Sequence, residues 1–166
     1  NTSDWNVFSS ELNNWSTRLE LNDTVAQNDL YSSYPIANPT SSVFYTNYLS
    51  AVNVNAYNYI AYCWHSVAGY SSIGSYDGGT NGKQLPTGFK ASWIMIKKYS
   101  SGTGRIWYIY DDKRDGVNDN ALFANLNNAE SSGTNFIDFN DTNIQINATG
   151  DGVNGSGSSY LYMAFK

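Results

Sequence analysis

The densest polar run of the chain is Asp111-Asp112-Lys113-Arg114-Asp115-Gly116-Val117-Asn118-Asp119-Asn120. Asp111, Asp115 and Asp119 recur around a glycine, as the oxygen ligands of a calcium loop do. The third ligand position holds Lys113, and no glutamate closes the run. Calcium is therefore a weak candidate, and an acidic turn braced by Arg114 is the plainer reading. Acid–base chemistry has one pair to draw on, Asp111 and Glu130. Glycoside cleavage needs two carboxyls at a set separation, one of them in an apolar pocket that raises its pKa. The chain holds only Glu11, Glu20 and Glu130 as glutamates, and Glu130 reads more simply as an ion-pair partner of Arg114 or Arg105.

Other chemistries find less support. The lone His65 has no second histidine or cysteine with which to build a zinc site. Cys63 cannot form an internal disulfide and is expected to behave as a small buried hydrophobe. No serine stands in a nucleophile elbow. Gly78-Gly79-Thr80-Asn81-Gly82-Lys83 lacks the hydroxyl residue that follows the lysine of a phosphate loop. No catalytic residue, cofactor or transition metal is assigned, and the chain is expected not to be an enzyme.

Binding is better served. Sugars offer apolar ring faces and many hydroxyls, which suit a flat aromatic beside Asn, Asp and backbone groups. Candidates on expected loops are Trp15, Tyr70, Tyr76, Asp77, Asn81 and Tyr99. The competing reading is that most aromatics alternate along strands and pack a core or a subunit contact. The sequons Asn14-Trp15-Ser16 and Asn147-Ala148-Thr149 are expected by chance in a chain so rich in Asn and Thr.

The elements that position these residues are short alternating runs bounded by Gly, Asn, Asp and Ser. They are Asn58–Trp64, Ala91–Lys97, Arg105–Tyr110, Phe136–Phe139, Asn143–Asn147 and Tyr160–Phe165. Each is rich in β-branched or aromatic residues, the pattern of a pleated, half-buried strand. Turns are expected at Asp77–Gly82, Leu85–Gly88 and Asp151-Gly152, with Gly and Asn at positions needing positive φ. Helical signal is confined to Val7–Leu21, with poor helix formers inside, and to Ala121–Glu130, which lies between a short helix and a strand-like excursion and is read as a loop or one or two helical turns. The expected fold is an all-β sandwich, jelly-roll or lectin-like, forming a single domain over residues 1–166.

A weak internal repeat relates about 1–65 to about 105–166. Trp5-Asn6-Val7-Phe8 matches Trp107-Tyr108-Ile109-Tyr110. Leu19-Glu20-Leu21-Asn22 matches Leu122-Phe123-Ala124-Asn125. Tyr59-Ile60-Ala61-Tyr62-Cys63-Trp64 matches Tyr160-Leu161-Tyr162-Met163-Ala164-Phe165. Residues 66–104, which precede the second copy, have no counterpart before Trp5. The chain is thus expected to begin inside a repeat unit or to have lost a first segment, and its opening residues do not read as a signal peptide.

Composition sets the class. The chain has 166 residues, 41% hydrophobic, 16% aromatic and 14% charged, with net charge −5. Charged residues usually reach about 25%. High aromatic content with low charge excludes disorder, and no apolar run suits a membrane helix. Nine Lys and Arg, scattered and outnumbered by acids, form no phosphate-binding stripe, so nucleic acid is not an expected partner. Interface cores are rich in aromatics and poor in Lys and Glu, so a homo-oligomer is expected.

Read in order, several stretches carry a family resemblance. They are 59–76, Gly88–Lys97, Trp107–Arg114 and the closing Tyr160–Phe165. Together they resemble an uncharacterised β-domain of tail-fibre and other virion surface proteins of tailed, often marine, bacteriophages. The likeness covers most of the chain from about Asn53 onward, and the earlier residues fit the end of a preceding copy. Ala91 or Ser92 stands where the family often has proline. The resemblance implies a virion-surface location and non-enzymatic work as a structural or adhesive protein. It also implies contacts with other virion proteins and copies of itself, and a host surface glycan or protein as ligand. Purely architectural service in a capsid or fibre is the alternative, and polysaccharide depolymerisation the least favoured. It carries over no catalytic residue.

Overall fold

The computed structural model describes residues 4–28, 36–46, 51–100, 102, 105–114, 120–132 and 136–166. Among them the chain is all-β and sandwich-like, without a helix. Ten strands occur in chain order: β1 (Asn6–Val7), β2 (Leu19–Glu20), β3 (Ser71–Asp77), β4 (Lys83–Pro86), β5 (Trp93–Lys98), β6 (Trp107–Asp111), β7 (Leu122–Phe123), β8 (Ile137–Phe139), β9 (Asn143–Ile146) and β10 (Ser159–Phe165). They form an antiparallel five-stranded sheet in the order β3-β10-β5-β6-β7, a three-stranded sheet β4-β9-β8 and the ribbon β1-β2.

Period-two alternation divides β5, β6 and β10 between two covered faces. On one face Ile94, Ile96, Tyr110, Tyr160, Tyr162 and Ala164 meet Leu85, Ile137, Phe139, Ile144 and Ile146 of the three-stranded sheet, and this is the main core. On the other face Trp107 and Leu161 pack against Leu12 and Leu19 from the N-terminal segment. Polar anchors fasten that segment down. The Trp107 indole donates to the Glu20 carbonyl (2.9 Å) and the Arg105 guanidinium to the Thr24 carbonyl (2.9 Å). Lys97, fully buried, donates to the carbonyls of Asp23 and Arg105 and lies 5.3 Å from the centre of the Trp107 ring.

Loops join the layers through Asn154, which is fully buried. Its amide donates to the carbonyls of Thr80 (2.8 Å) and Ala148 (2.6 Å) and accepts from the Gly79 amide (3.1 Å). Gly79 and Gly82 have positive φ, as their turn requires, whereas Gly78 and Gly152 are not among the positive-φ residues. These two are needed for space. A Cβ on Gly78 would lie 2.5 Å from the Gly155 carbonyl, and one on Gly152 would lie 2.6 Å from the Tyr108 hydroxyl.

Several expectations change. Leu85 and Pro86 belong to β4, and the turn follows them. Proline is tolerated there because β4 is an edge strand. Val7–Leu21 forms strand ends and turns, and Leu122–Phe123 is a strand, so the helical readings fall. Asn58–Trp64 is in no strand, and every residue of it is exposed.

The ribbon β1-β2 repeats β6-β7 contact for contact. Val7 faces Leu19 as Ile109 faces Leu122, and Asn6 faces Glu20 as Tyr108 faces Phe123. The Leu21 amide donates to the Trp5 carbonyl (2.9 Å), and the Ala124 amide to that of Trp107 (3.2 Å). The Asn22 side chain accepts from the Trp5 amide (2.9 Å), and the Asn125 side chain from the Trp107 amide (3.0 Å). Even the flanking bridges Arg18↔Asn28 and Ala121↔Ser131 correspond.

Two outcomes are expected. Ile96→Ala, at a fully buried position, will lower unfolding free energy by about 3 kcal/mol in urea titration. Burial, then the nearby Arg105, depress the Lys97 pKa to about 8 against partial compensation from Asp23 and Glu20. The unfolded lysine keeps its proton to about pH 10.4. The unfolded state thus binds more protons between these values, and stability rises with pH across that window. Wild type measured from pH 8 to 10 should gain stability relative to Lys97→Met. A difference that stays flat would contradict the assignment.

Candidate functional site

The sugar-binding candidates do not converge. Tyr70 is 58% exposed and sits in the turn before β3, its ring edge-on to Phe165 at 6.2 Å. Asp77 is exposed at the far end of β3 and accepts from the Ser159 hydroxyl (2.7 Å). Seven strand residues separate them by roughly 20 Å. Asn81 is exposed in the next turn and Trp15 is half-buried in a turn of the N-terminal segment. Tyr99 is half-buried against Leu12, Leu19, Trp107 and Leu161. Tyr76 is corrected outright: it is a core residue. Its ring stacks on Tyr160 at 5.0 Å and its hydroxyl donates to the Val153 carbonyl. Burial, then the neighbouring Tyr160 and Tyr110, hold its pKa well above the ordinary value. The sequence showed Tyr76 beside a Gly-rich turn, but not that it closes a strand whose inner face it supplies.

The acidic cluster resolves into a brace. Arg114 pairs with Asp111 and with Glu130 and donates to the carbonyls of Ile109 and Asn120. Asn120 donates to the other Glu130 oxygen (2.7 Å). Burial works against the Asp111 charge. The Arg114 side chain and the amides of Lys113 and Arg114 outweigh it and hold the carboxyl below its usual range. An ionised Asp111 sharing one guanidinium with Glu130 has no proton to give as a general acid. Asp115 and Asp119, the other calcium candidates, lie outside the described residues. Among the described residues no group of three metal-ligating side chains occurs.

What stands out is an arm. Tyr57, Tyr59, Ile60, Tyr62 and Trp64 are between 46% and 73% exposed. Cys63, expected to be buried, is exposed as a free thiol, and His65 beside it is also exposed. Alternation puts Ile60, Tyr62 and Trp64 on one side. Tyr62 stacks on Trp64 (5.9 Å, 22°) and on Trp5 (6.5 Å, 28°), making a three-ring ladder open to solvent. A groove of about 430 Å³ runs between Asp4–Asn6 and Tyr57–Ile60. The aromatic run was visible in the sequence. Its exposure was not, because alternation predicts a strand whether or not a neighbour exists to pair with it.

A second hollow, about 260 Å³, lies between Tyr108, Tyr110, Phe123 and Phe136. Ser131, Ala148 and Val153 complete its side-chain lining, and no charged side chain is among the described lining residues.

A family model, domain of unknown function DUF7483, matches residues 1–166, and the chain belongs to that family. No curated protein and no solved structure matches it.

The exposed arm makes one direct prediction. In the native protein Cys63 should react completely with an aromatic disulfide reagent, without denaturant and at the rate of an unshielded thiol. Reaction only after unfolding would return Cys63 to the interior.

Proposed function

We propose that this member of a family of unknown function is a non-enzymatic structural or adhesive protein of a tailed-phage virion. It serves in a tail fibre or surface decoration and binds a host surface glycan or protein through many copies. The observation that carries the reading is the open Trp5–Tyr62–Trp64 ladder. Soluble proteins seldom leave large apolar patches in water without a use for them. Stacked rings bordered by Asp4, Asn6 and Asn58 match the mixed apolar and hydroxyl character of a sugar chain. The sequence resemblance supplies the virion setting, and low charge suits a surface that makes contacts. Linked copies raise avidity by orders of magnitude, so each site can be weak. The captured carboxylates of Asp111 and Glu130 weigh against a depolymerase.

The architectural reading, in which the partners are other virion proteins and copies of this chain, is favoured by the arm's backbone, which among the described residues makes no backbone–backbone hydrogen bond from 58 to 64. Locating residues 57–64 in an assembled particle separates the two: a distal arm supports adhesion, a covered one architecture.

Glycan arrays and whole-cell binding with the assembled protein test the adhesive reading. Tyr62→Ala with Trp64→Ala removes two stacked rings and should weaken binding by about tenfold while leaving the melting temperature unchanged. Blank arrays and unbound cells would remove that reading.

A further inference from the structure

Asparagine is a thermally labile side chain. It is most labile before glycine, which has no Cβ to block the asparagine side chain from the following main-chain nitrogen. The chain contains two such pairs, Asn81-Gly82 and Asn154-Gly155, and the fold treats them oppositely.

Asn154-Gly155 is locked. Both residues are buried. The Asn154 side chain is held by Thr80, Ala148 and Gly79. The Gly155 nitrogen, which would have to attack, donates to the Tyr160 hydroxyl (2.8 Å). Space is closed as well, since a Cβ on Gly155 would lie 2.6 Å from the Asp151 carboxylate. Asn154 can react only when this part of the core opens.

Asn81-Gly82 is open. The two residues form the turn just before β4, and Asn81 is exposed. Among the described residues no hydrogen bond engages the Asn81 side chain or the Gly82 nitrogen. Gly82 stands at a φ of 73°, and a Cβ there would meet nothing within 4 Å. The flanks are fixed: Gly79 and Thr80 by Asn154, and Lys83 by its pairing with Ile146. Freedom is therefore confined to the pair itself, where the side chain and the nitrogen have room to turn toward each other.

We infer that Asn81 is a self-deamidation site, a slow one-way charge step built into the turn between β3 and β4. The Gly82 nitrogen attacks the Asn81 Cγ. The N–Cγ bond forms, the Cγ–Nδ2 bond breaks, and the proton of the Gly82 nitrogen leaves with the side-chain nitrogen as ammonia. Water then opens the cyclic imide. Cleavage of the N–Cγ bond yields aspartate. Cleavage of the bond from the Gly82 nitrogen to the Asn81 main-chain carbonyl carbon yields isoaspartate, whose main chain runs through Cβ and Cγ. Water is the only co-reactant. Either product adds one negative charge at an exposed turn of a chain whose net charge is −5. Isoaspartate also lengthens the main chain between two anchors. Because β4 is an edge strand, the turn can absorb that length while the β4–β9 ladder keeps its register. The site is independent of the adhesive reading.

The test is incubation of the native full chain in heavy-oxygen water at mildly alkaline pH, followed by peptide mapping. Labelled aspartate and isoaspartate should accumulate at residue 81 at least about tenfold faster than at residue 154. A more acidic species should appear on ion exchange with the same time course, still folded by hydrogen exchange across β4 and β9. In urea the two sites should react at similar rates, because only the fold separates them. Asn81→Gln, whose longer side chain closes the ring poorly, should abolish the acidic species without moving the melting temperature. Retention of Asn81 in the native chain overturns the inference, whatever the unfolded chain does. Equal reaction at the two sites in the native chain, or an acidic species that survives Asn81→Gln at an unchanged rate, overturns it equally.

Discussion

A strand holds its place only when its backbone groups find partners on the edges that water does not reach. β10 satisfies this on both sides, against β3 and β5 over nearly its whole length. Its alternation then supplies Tyr160, Tyr162 and Ala164 to one core and Leu161 to the other. The rest of the molecule is arranged around that strand. The three-stranded sheet covers one face, the N-terminal segment covers part of the other, and Asn154 ties the connecting loops where the two sheets meet. The arm at residues 57–64 carries a similar sequence, joins no strand ladder among the described residues and stays outside. Similar residues thus give a core strand or an exposed ladder, according to whether hydrogen-bonding partners lie alongside.

This explains what could be read in advance. β5, β6, β8, β9 and β10 are alternating apolar runs, and each is found within a residue or two of its expected place. β3 escaped notice because Ser-Ser-Ile-Gly-Ser has no apolar alternation. It is a strand because β10 pairs with it, and Gly74 leaves room for the Tyr162 ring, whose atoms come within 3.1 Å of where a Cβ would stand. β4 was hidden by Pro86, which an edge position tolerates. The arm misled in the opposite sense: its local pattern was that of a strand, but pairing is non-local. The internal likeness between the halves was faint in letters and is sharp in geometry, down to an asparagine side chain accepting from a tryptophan amide in each half.

The candidate site was legible only in its parts. Asp111 and Arg114 were recognisable within one polar cluster, and an ion pair of Glu130 with Arg114 or Arg105 was expected. That one guanidinium joins both carboxylates is a tertiary fact. The loop aromatics could not be sorted from sequence, because Tyr70 and Tyr76 differ only in where β3 begins and ends. One lies at the open end of the strand and the other beneath the second sheet.

The central position of β10 also bears on load. Its seven residues run antiparallel between two neighbours, so a pull on Phe165 along the strand axis strains both ladders together instead of peeling one bond at a time. Force entering there is shared between β3 and β5 and passes into the sheet as shear. A tether joined to that strand would therefore load both ladders of hydrogen bonds at once.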